Sequence, residues 1–473
     1  MTLYELLDRR AADADVRWHA RRRRLARATA SAIVIATLGW FYHAGATRHA
    51  TEVNRIKAQG DQSAYLAEAK LIFANWTGRN QPPILQPRNR MPVYPAFLAV
   101  LYDPAWSDDE FFVYAKSHTV WLSLGLVATL GIVLWVTLPP LLATNAILII
   151  TFGVYVFKAG YTQSELLYYT LHFLTFVAMW RLLESRTLAS SIGHALLVGG
   201  LAALAHLTKA AVLPLMAIFL AVYFVSEVLV CVRTGRVVRF GWRFAAGLVS
   251  AVVFIGLLAP YLANSKKVHG QYFYNLNMSV LIWYDSWPQA GGALATYGPD
   301  GWPKGPKRLR PGPVRYWREH TTTAIAARFA NGFRDMLVGS YAMFWYMKFV
   351  AVYVLVTLAL MARTWRSSAE IVRRHRALAV FLALYAAFYL PATAFYEPTS
   401  GTGTTRFLLA HVTPLMFTLS RYFAVTSLRD RPSWSICQVP VTATHVQLFV
   451  LGTVALDLAF TLWPRLMSTY GGF

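Results

Sequence analysis

Apolar runs of about 20 residues recur along this chain, and a run of that length crosses a hydrocarbon core of roughly 30 Å only as a helix. Lipid offers no water to satisfy backbone amides, so every crossing segment must hydrogen-bond within itself. The runs therefore set the fold class: an all-α polytopic membrane protein. Composition agrees, with 56% hydrophobic, 15% aromatic and only 14% charged residues, which lies outside the range of a soluble domain. Spans are expected at 29–47, 117–137, 141–158, 164–182, 190–207, 210–231, 244–262, 338–361, 377–395, 407–425 and 441–463, about eleven in all.

The net charge is +23. In a soluble chain that would point to nucleic acid, but no nucleic-acid reading module accompanies it, and much of the charge is explained by topology. Lys and Arg stay on the cytoplasmic side of a membrane protein. Residues 1–28 form a basic N-terminus ending in Arg21-Arg22-Arg23-Arg24. Only Ala44 and Ala46 resemble a cleavage site, so the first span reads as uncleaved with its basic end in the cytoplasm. The arginine run also suits anionic lipid headgroups. With that orientation the cytoplasmic connections become Arg181–Arg186, Arg233–Arg239, Arg363–Arg376 and Arg429–Arg431, all short and Arg-bearing. Two cysteines, Cys231 and Cys437, make no disulfide framework.

The same orientation leaves two large outer segments, 48–116 and 263–337, within a transmembrane domain of 29–463, followed by the short tail 464–473. The first outer segment carries Asp61-Gln62-x-x-Tyr65 ahead of a short amphipathic helix and closes with Arg90-x-Pro92-x-Tyr94-Pro95. The second is rich in Trp, Tyr, Pro and Gly and bears Lys304, Lys307, Arg308, Arg310, Arg315 and Arg318. It shows no obvious helical periodicity, and a loop of that length is usually functional or disordered. Its aromatic residues favour order near the headgroups. No inverted repeat relates the two halves, which argues against a secondary transporter.

Charges beside membrane spans are costly and tend to be functional. Five fall at the outer face: Asp61 and Arg90 in the first loop, Glu165 opening the fourth span, Lys209 between the fifth and sixth, and Arg406 at the tenth. Each has a plainer role open to it. Asp61 can cap a helix, Arg90 can snorkel to phosphates, Glu165 can pair with Lys158, and Lys209 can anchor at the interface. Arg406 follows the polar stretch Glu397–Gly403, which a simple connector would not need. His206 and His411 lie near this face without the spacing of a zinc site.

One carboxylate, several cations and an aromatic loop at one membrane face suit transfer from a phosphate-linked lipid. A glycosidase typically needs two carboxyl groups because its leaving oxygen is poor. A polyprenyl phosphate leaves as a stabilised anion, so cations to hold the charge and one base for the acceptor hydroxyl suffice. Asp61 fits the base, Lys209 and Arg406 the phosphate clamp, and Arg90 an assisting cation. Displacement by one activated acceptor predicts inversion at the anomeric carbon.

The pattern resembles the GT-C superfamily of integral membrane glycosyltransferases, in the branch of protein O-mannosyltransferases and lipid A aminoarabinose transferases. The resemblance rests on Asp61-Gln62-x-x-Tyr65, Arg90-x-Pro92-x-Tyr94-Pro95, Ser164-Glu165, the run ending in Thr208-Lys209, and Arg406-Phe407-Leu408-Leu409 with Pro414. It implies a catalytic Asp61 and donor-phosphate roles for Lys209 and Arg406, with Arg90, Tyr94 and Glu165 among the donor- or substrate-binding residues. It also implies a polyprenyl-phosphate sugar donor, a glycan, lipid or protein acceptor, membrane lipids as surroundings, and no nucleic acid. Many relatives carry Asp-Glu where this chain has Asp61-Gln62. A divalent metal, proposed for some of these enzymes, therefore loses a carboxylate here, and no cofactor is implied. A lipid-linked sugar flippase or an oligosaccharide polymerase or ligase would use the same cations, and a non-catalytic scaffold would leave Asp61 and Lys209 freely replaceable.

Overall fold

The computed structural model describes residues 35–57, 61–78, 90–298, 301–302, 309–343, 347–400, 405–427, 434–436 and 439–467. The basic N-terminus 1–28, the start of the first expected span, Lys304, Lys307, Arg308, Gly401–Gly403, Arg429, Arg431, Cys437 and 468–473 lie outside the described residues.

Helix α1 covers 35–52. Two short helices follow, α2 (Gln62–Trp76) and α3 (Val93–Val100). Helix α4 (Asp108–Thr137) starts nine positions before the span expected at 117–137. Its first turn explains the extension. Ser107 and Glu110 form a reciprocal capping box, and Asp108, Asp109 and Glu110 face the positive end of the helix dipole. Lys57 and Lys70 both pair with Asp108, which ties the preceding segment to this end. Side chains of α2, α3 and the first turns of α4 then close a small core of their own, with Tyr65, Leu66, Ala69, Tyr94, Leu98 and Phe111 buried in it.

The bundle proper continues with α5 (Pro140–Lys158), α6 (Glu165–Glu184), α7 (Leu188–Thr208), α8 (Leu213–Thr234) and α9 (Val237–His269). The outer segment after α9 is more helical than its sequence suggests, holding α10 (Trp287–Tyr297), α11 (Pro313–Glu319) and α12 (Thr322–Met343). The span expected at 338–361 is instead α13 (Met347–Arg363), bent by 101° from α14 (Trp365–Arg374). Arg328, Arg334 and Asp335 on α12 mask its apolar face, which explains the misreading: Arg328 is buried and donates to the Phe395 and Ile282 carbonyls. Helices α15 (Arg376–Tyr396), α16 (Thr405–Ser427) and α17 (Ala443–Met467) complete the bundle. A small antiparallel hairpin, Trp434–Ile436 with Val439–Val441, precedes α17. Among the described residues nine helices are long and apolar enough to cross a membrane, and the bent α13–α14 pair adds a tenth candidate.

Helix α6 is the pillar. It packs against α7, α16, α4 and α15, and most of its length is buried. Its C-terminal end is held by Arg243 of α9, which is buried, pairs with Glu227 at 2.7 Å and donates to the Leu182 and Ser185 carbonyls. The last carbonyls of a helix have no partner within it, and a cation there also suits the helix dipole. Lys348 of α13 and Asp457 of α17, charges within apolar helices, pair with each other at 2.8 Å.

Helices α7 and α9 approach through Gly199, where an added Cβ would sit 2.7 Å from both the Ser250 carbonyl oxygen and the Val253 Cβ. Small residues permit this backbone approach in membrane bundles. The neighbouring Gly200 faces open space. Gly199→Ala should cost about 1–3 kcal/mol through overpacking and lower the thermal midpoint in detergent. Gly200→Ala should hold or raise it, because Ala favours a helix by about 1 kcal/mol over Gly. Equal effects of the two would disprove the close contact.

Candidate active site

The end of α6 opposite Arg243 opens with Glu165, and three other chain segments converge on it. Lys209 lies just past the C-terminus of α7, Arg406 opens α16, and Asp61 precedes α2. Lys209 Nζ donates to Glu165 Oε1 at 2.9 Å, and Arg406 Nη1 lies 3.7 Å from the same oxygen. Arg406 Nη1 also donates to Asp61 Oδ2 at 3.0 Å, while Arg90 Nη2 donates to Asp61 Oδ1 at 2.9 Å. Five residues separated by up to 345 positions therefore form one connected ion cluster. Tyr94 is not part of it.

Asp61 does not cap α2. Its backbone is helical rather than extended, and its side chain makes no capping bond; both carboxylate oxygens go to guanidinium groups instead. Glu165 is hydrogen-bonded to Lys209, not to the nearby Lys158. Lys158 acts on Glu165 only through its charge and lies over the Tyr161 ring. Glu165 is sealed from solvent with its side chain 3% exposed, whereas Asp61 is reachable at 36%.

Helix geometry makes the arrangement affordable. A carboxylate in the first turn of α6 is favoured by the helix dipole, but Arg406 near the start of α16 is disfavoured by it. Two carboxylates close to Arg406 offset that penalty. Lys209 is pushed below the usual lysine range by burial, with the attraction of Glu165 opposing the shift. The Phe407 ring lies beside both cations, its centroid 4.7 Å from Lys209 and 5.1 Å from Arg406, and offers its negative face to them.

The sequence motif around Asp61 divides into one charged residue and two latches. Gln62 is fully buried, donates to the Ile56 carbonyl and accepts from the Thr162 amide. The Tyr65 hydroxyl pairs with Ser164 at 2.8 Å. Both latches grip the residues just before Glu165, so the motif sets Asp61 and Glu165 in one frame. Tyr94 supports the frame from below: its hydroxyl meets Thr119, and its ring packs edge-on against Tyr65, over which Arg90 lies.

Sequence reasoning missed Tyr169 and Glu68, and gave Phe407 only as part of a motif, without a role. Tyr169 follows Glu165 by one helical turn and donates to the Arg406 carbonyl; the i, i+4 spacing was a usable signal. Glu68, two turns into α2, has its carboxyl raised above the usual range by burial, with the charge of Arg90 opposing. His411 is drawn into a buried chain with Tyr385 and His172, inside the bundle rather than at its end. His206 is buried against Phe254 and Phe273.

The cluster has unused capacity. Glu165 Oε2, Arg90 Nε, Arg406 Nε and Thr162 Oγ1 are buried without a hydrogen-bond partner, and such groups in a folded protein call for an explanation such as a ligand or ordered water. The three cations outnumber the two carboxylates, which leaves a positive excess for an anion. A divalent cation does not fit: both carboxylates are already crowded by guanidinium or ammonium groups, and among the described residues no three His, Cys, Asp or Glu side chains cluster.

The buried pair predicts its own energetics. Glu165→Ala leaves Lys209 and Arg406 short of a partner and should cost about 3–5 kcal/mol. The Glu165→Ala/Lys209→Ala double variant should lose less than the sum of the single variants, read from detergent thermal denaturation as a double-mutant cycle. Strict additivity would show that the pair is not coupled.

No family model matches the chain, and no curated protein matches it. A crystal structure of ArnT from Cupriavidus metallidurans bound to undecaprenyl phosphate is similar to it at a TM-score of 0.38 and 13% identity, over 82% of this chain and 78% of that one.

Proposed function

We propose that this chain is an integral membrane glycosyltransferase of the GT-C type, moving a sugar from a polyprenyl-phosphate donor to an acceptor hydroxyl. The reaction takes place at the outer face, periplasmic in a bacterial inner membrane, with the N-terminus in the cytoplasm. The observation that carries the proposal is the ion cluster at the end of the bundle. It has a positive excess and unpartnered buried N–H groups on both arginines, and it meets the helices that a lipid tail would lie against.

The donor phosphate competes with Asp61 for its arginines. Arg406 and Lys209 turn to the phosphate, Arg90 assists, and Glu165 keeps Lys209 and Arg406 in place. Asp61, released from one or both guanidinium groups, accepts the proton of the acceptor hydroxyl. The acceptor oxygen bonds to the anomeric carbon from the face opposite the phosphate. The carbon–oxygen bond to the phosphate breaks, and its electron pair stays on the phosphate oxygen, where the cations stabilise it. The products are an inverted glycoside and free polyprenyl phosphate. Tyr65 and Tyr94 act as positioning residues beneath Arg90.

Lipid analysis of cell envelopes carrying wild-type protein or Asp61→Asn at matched levels tests the proposal. Removing the base should slow transfer by about 10²–10⁴-fold, so one polyprenyl-phosphate sugar accumulates and one glycosylated product is lost. Unchanged donor and product would reject Asp61 as the base and favour a flippase or scaffold.

Lys209 supplies a pH test. Its pKa lies below the usual lysine range through burial, so its charge is lost as pH rises through that lowered value. Undecaprenyl phosphate binding should therefore weaken at a lower pH than an ordinary lysine of about 10.4 would allow. Lys209→Arg should remove this alkaline limb, because Arg stays charged. A limb that persists in Lys209→Arg would exclude Lys209 from phosphate binding.

A further inference from the structure

A cavity of about 440 Å³ lies in the segment after α9, between α10 and α11. Its size falls within the range of small-ligand sites, roughly 300–1,000 Å³. Trp283, Tyr284 and Tyr297 present rings to it, and Asp285, Gln289 and Glu319 present planar polar groups. All three are already oriented: Asp285 pairs with His320 at 2.9 Å, Glu319 accepts from Arg315 at 2.8 Å, and Gln289 Oε1 accepts from the Asp285 amide at 3.1 Å, while both carboxylates stay about half exposed.

A relay of ring contacts links the lining of the cavity to the ion cluster. Trp283 and Tyr316 pack on Phe395 at 5.5 and 5.3 Å. The next residue, Tyr396, packs on Phe407 at 5.4 Å, and Phe407 is the ring beside Lys209 and Arg406. Arg328 fastens this relay by donating to the Ile282 and Phe395 carbonyls.

Resting on the transferase function proposed above, we infer that this cavity holds the acceptor and that the acceptor is a carbohydrate. The chemistry of the lining selects that class. A pyranose ring offers polarised C–H bonds on one face, which the negative face of an aromatic ring attracts. Its rim of hydroxyls suits carboxylate and amide groups, which accept hydrogen bonds in fixed planar geometry. Asp285 and Glu319 are paired with His320 and Arg315, which also line the cavity, so it has no cationic excess for a lipid phosphate such as the neighbouring cluster offers. Tyr297 is the open platform: it is 45% exposed, whereas Tyr316 is buried and already stacked on His320.

The test uses the full chain at matched envelope levels, as wild type, Asp61→Asn, Tyr297→Ala and Tyr297→Phe. Two readouts are taken: the ratio of glycosylated product to polyprenyl-phosphate sugar in the envelope, and undecaprenyl phosphate binding by native mass spectrometry. Tyr297→Ala should lower the ratio about 2- to 10-fold, the range of one aromatic contact, with undecaprenyl phosphate binding unchanged. Tyr297→Phe keeps the ring and should restore the wild-type ratio, and the product lost in Asp61→Asn should be a sugar joined to a glycan. A wild-type ratio in Tyr297→Ala, or a joint loss of undecaprenyl phosphate binding, would overturn the acceptor site while Asp61→Asn still reports on the transferase. A lost product attached to a polypeptide would overturn the carbohydrate assignment. No effect of Asp61→Asn would remove the transferase and this inference together.

Discussion

Two carboxylates shared among three cations at the converging ends of the helices hold this structure together where it matters. A membrane bundle has little hydrophobic reason to order its helix ends, because lipid is as apolar as the side chains facing it. Ion pairs can do so, provided that each charge keeps its partners in a setting of low dielectric. Glu165 anchors the start of α6, Lys209 the end of α7, and Arg406 the start of α16. Asp61 and Arg90 bring in the outer segment. The opposite end of α6 is fastened in the same manner by Arg243 and Glu227. The 20-residue pillar, roughly 30 Å long, is thus clamped by charge at both ends.

Only one clamp has chemistry to spare. Arg243 spends its donors on a carboxylate and on the carbonyls of Leu182, Leu183 and Ser185. Arg406 and Arg90 keep unpartnered nitrogens, and their carboxylate is the exposed one. The same pairs that order the resting site can therefore be traded for a phosphate. The ion cluster carries a positive excess, whereas in the cavity between α10 and α11 the carboxylates of Asp285 and Glu319 are paired with His320 and Arg315.

Much of this was legible in the sequence. Apolar runs and Arg-bearing connections gave the helices, and the topology alone assembled Asp61, Arg90, Glu165, Lys209 and Arg406 on one face. Pairing was not legible. Nothing in the order of residues says that Glu165 takes Lys209 rather than Lys158, or that Asp61 leaves the helix it precedes uncapped. Tyr94 read as a binding residue because it shares a motif with Arg90, yet its hydroxyl is used by Thr119. Helices α10 to α12 were missed for a different reason. Helix α10 buries Ala290 among Tyr274, Leu276 and Leu281. Helices α11 and α12 bury Tyr316 and Ile325 beside Phe395 and Tyr396 in a second small cluster, and buried Arg328 breaks the pattern by using its donors on backbone carbonyls.

The central claim is that phosphate and Asp61 compete for the same arginines. A cryo-EM structure of the full chain with undecaprenyl phosphate tests it most directly. The phosphate should lie on Arg406 and Lys209, with at least one oxygen of Asp61 released toward solvent. A phosphate bound elsewhere, with Arg90 and Arg406 still holding both oxygens of Asp61, would contradict it.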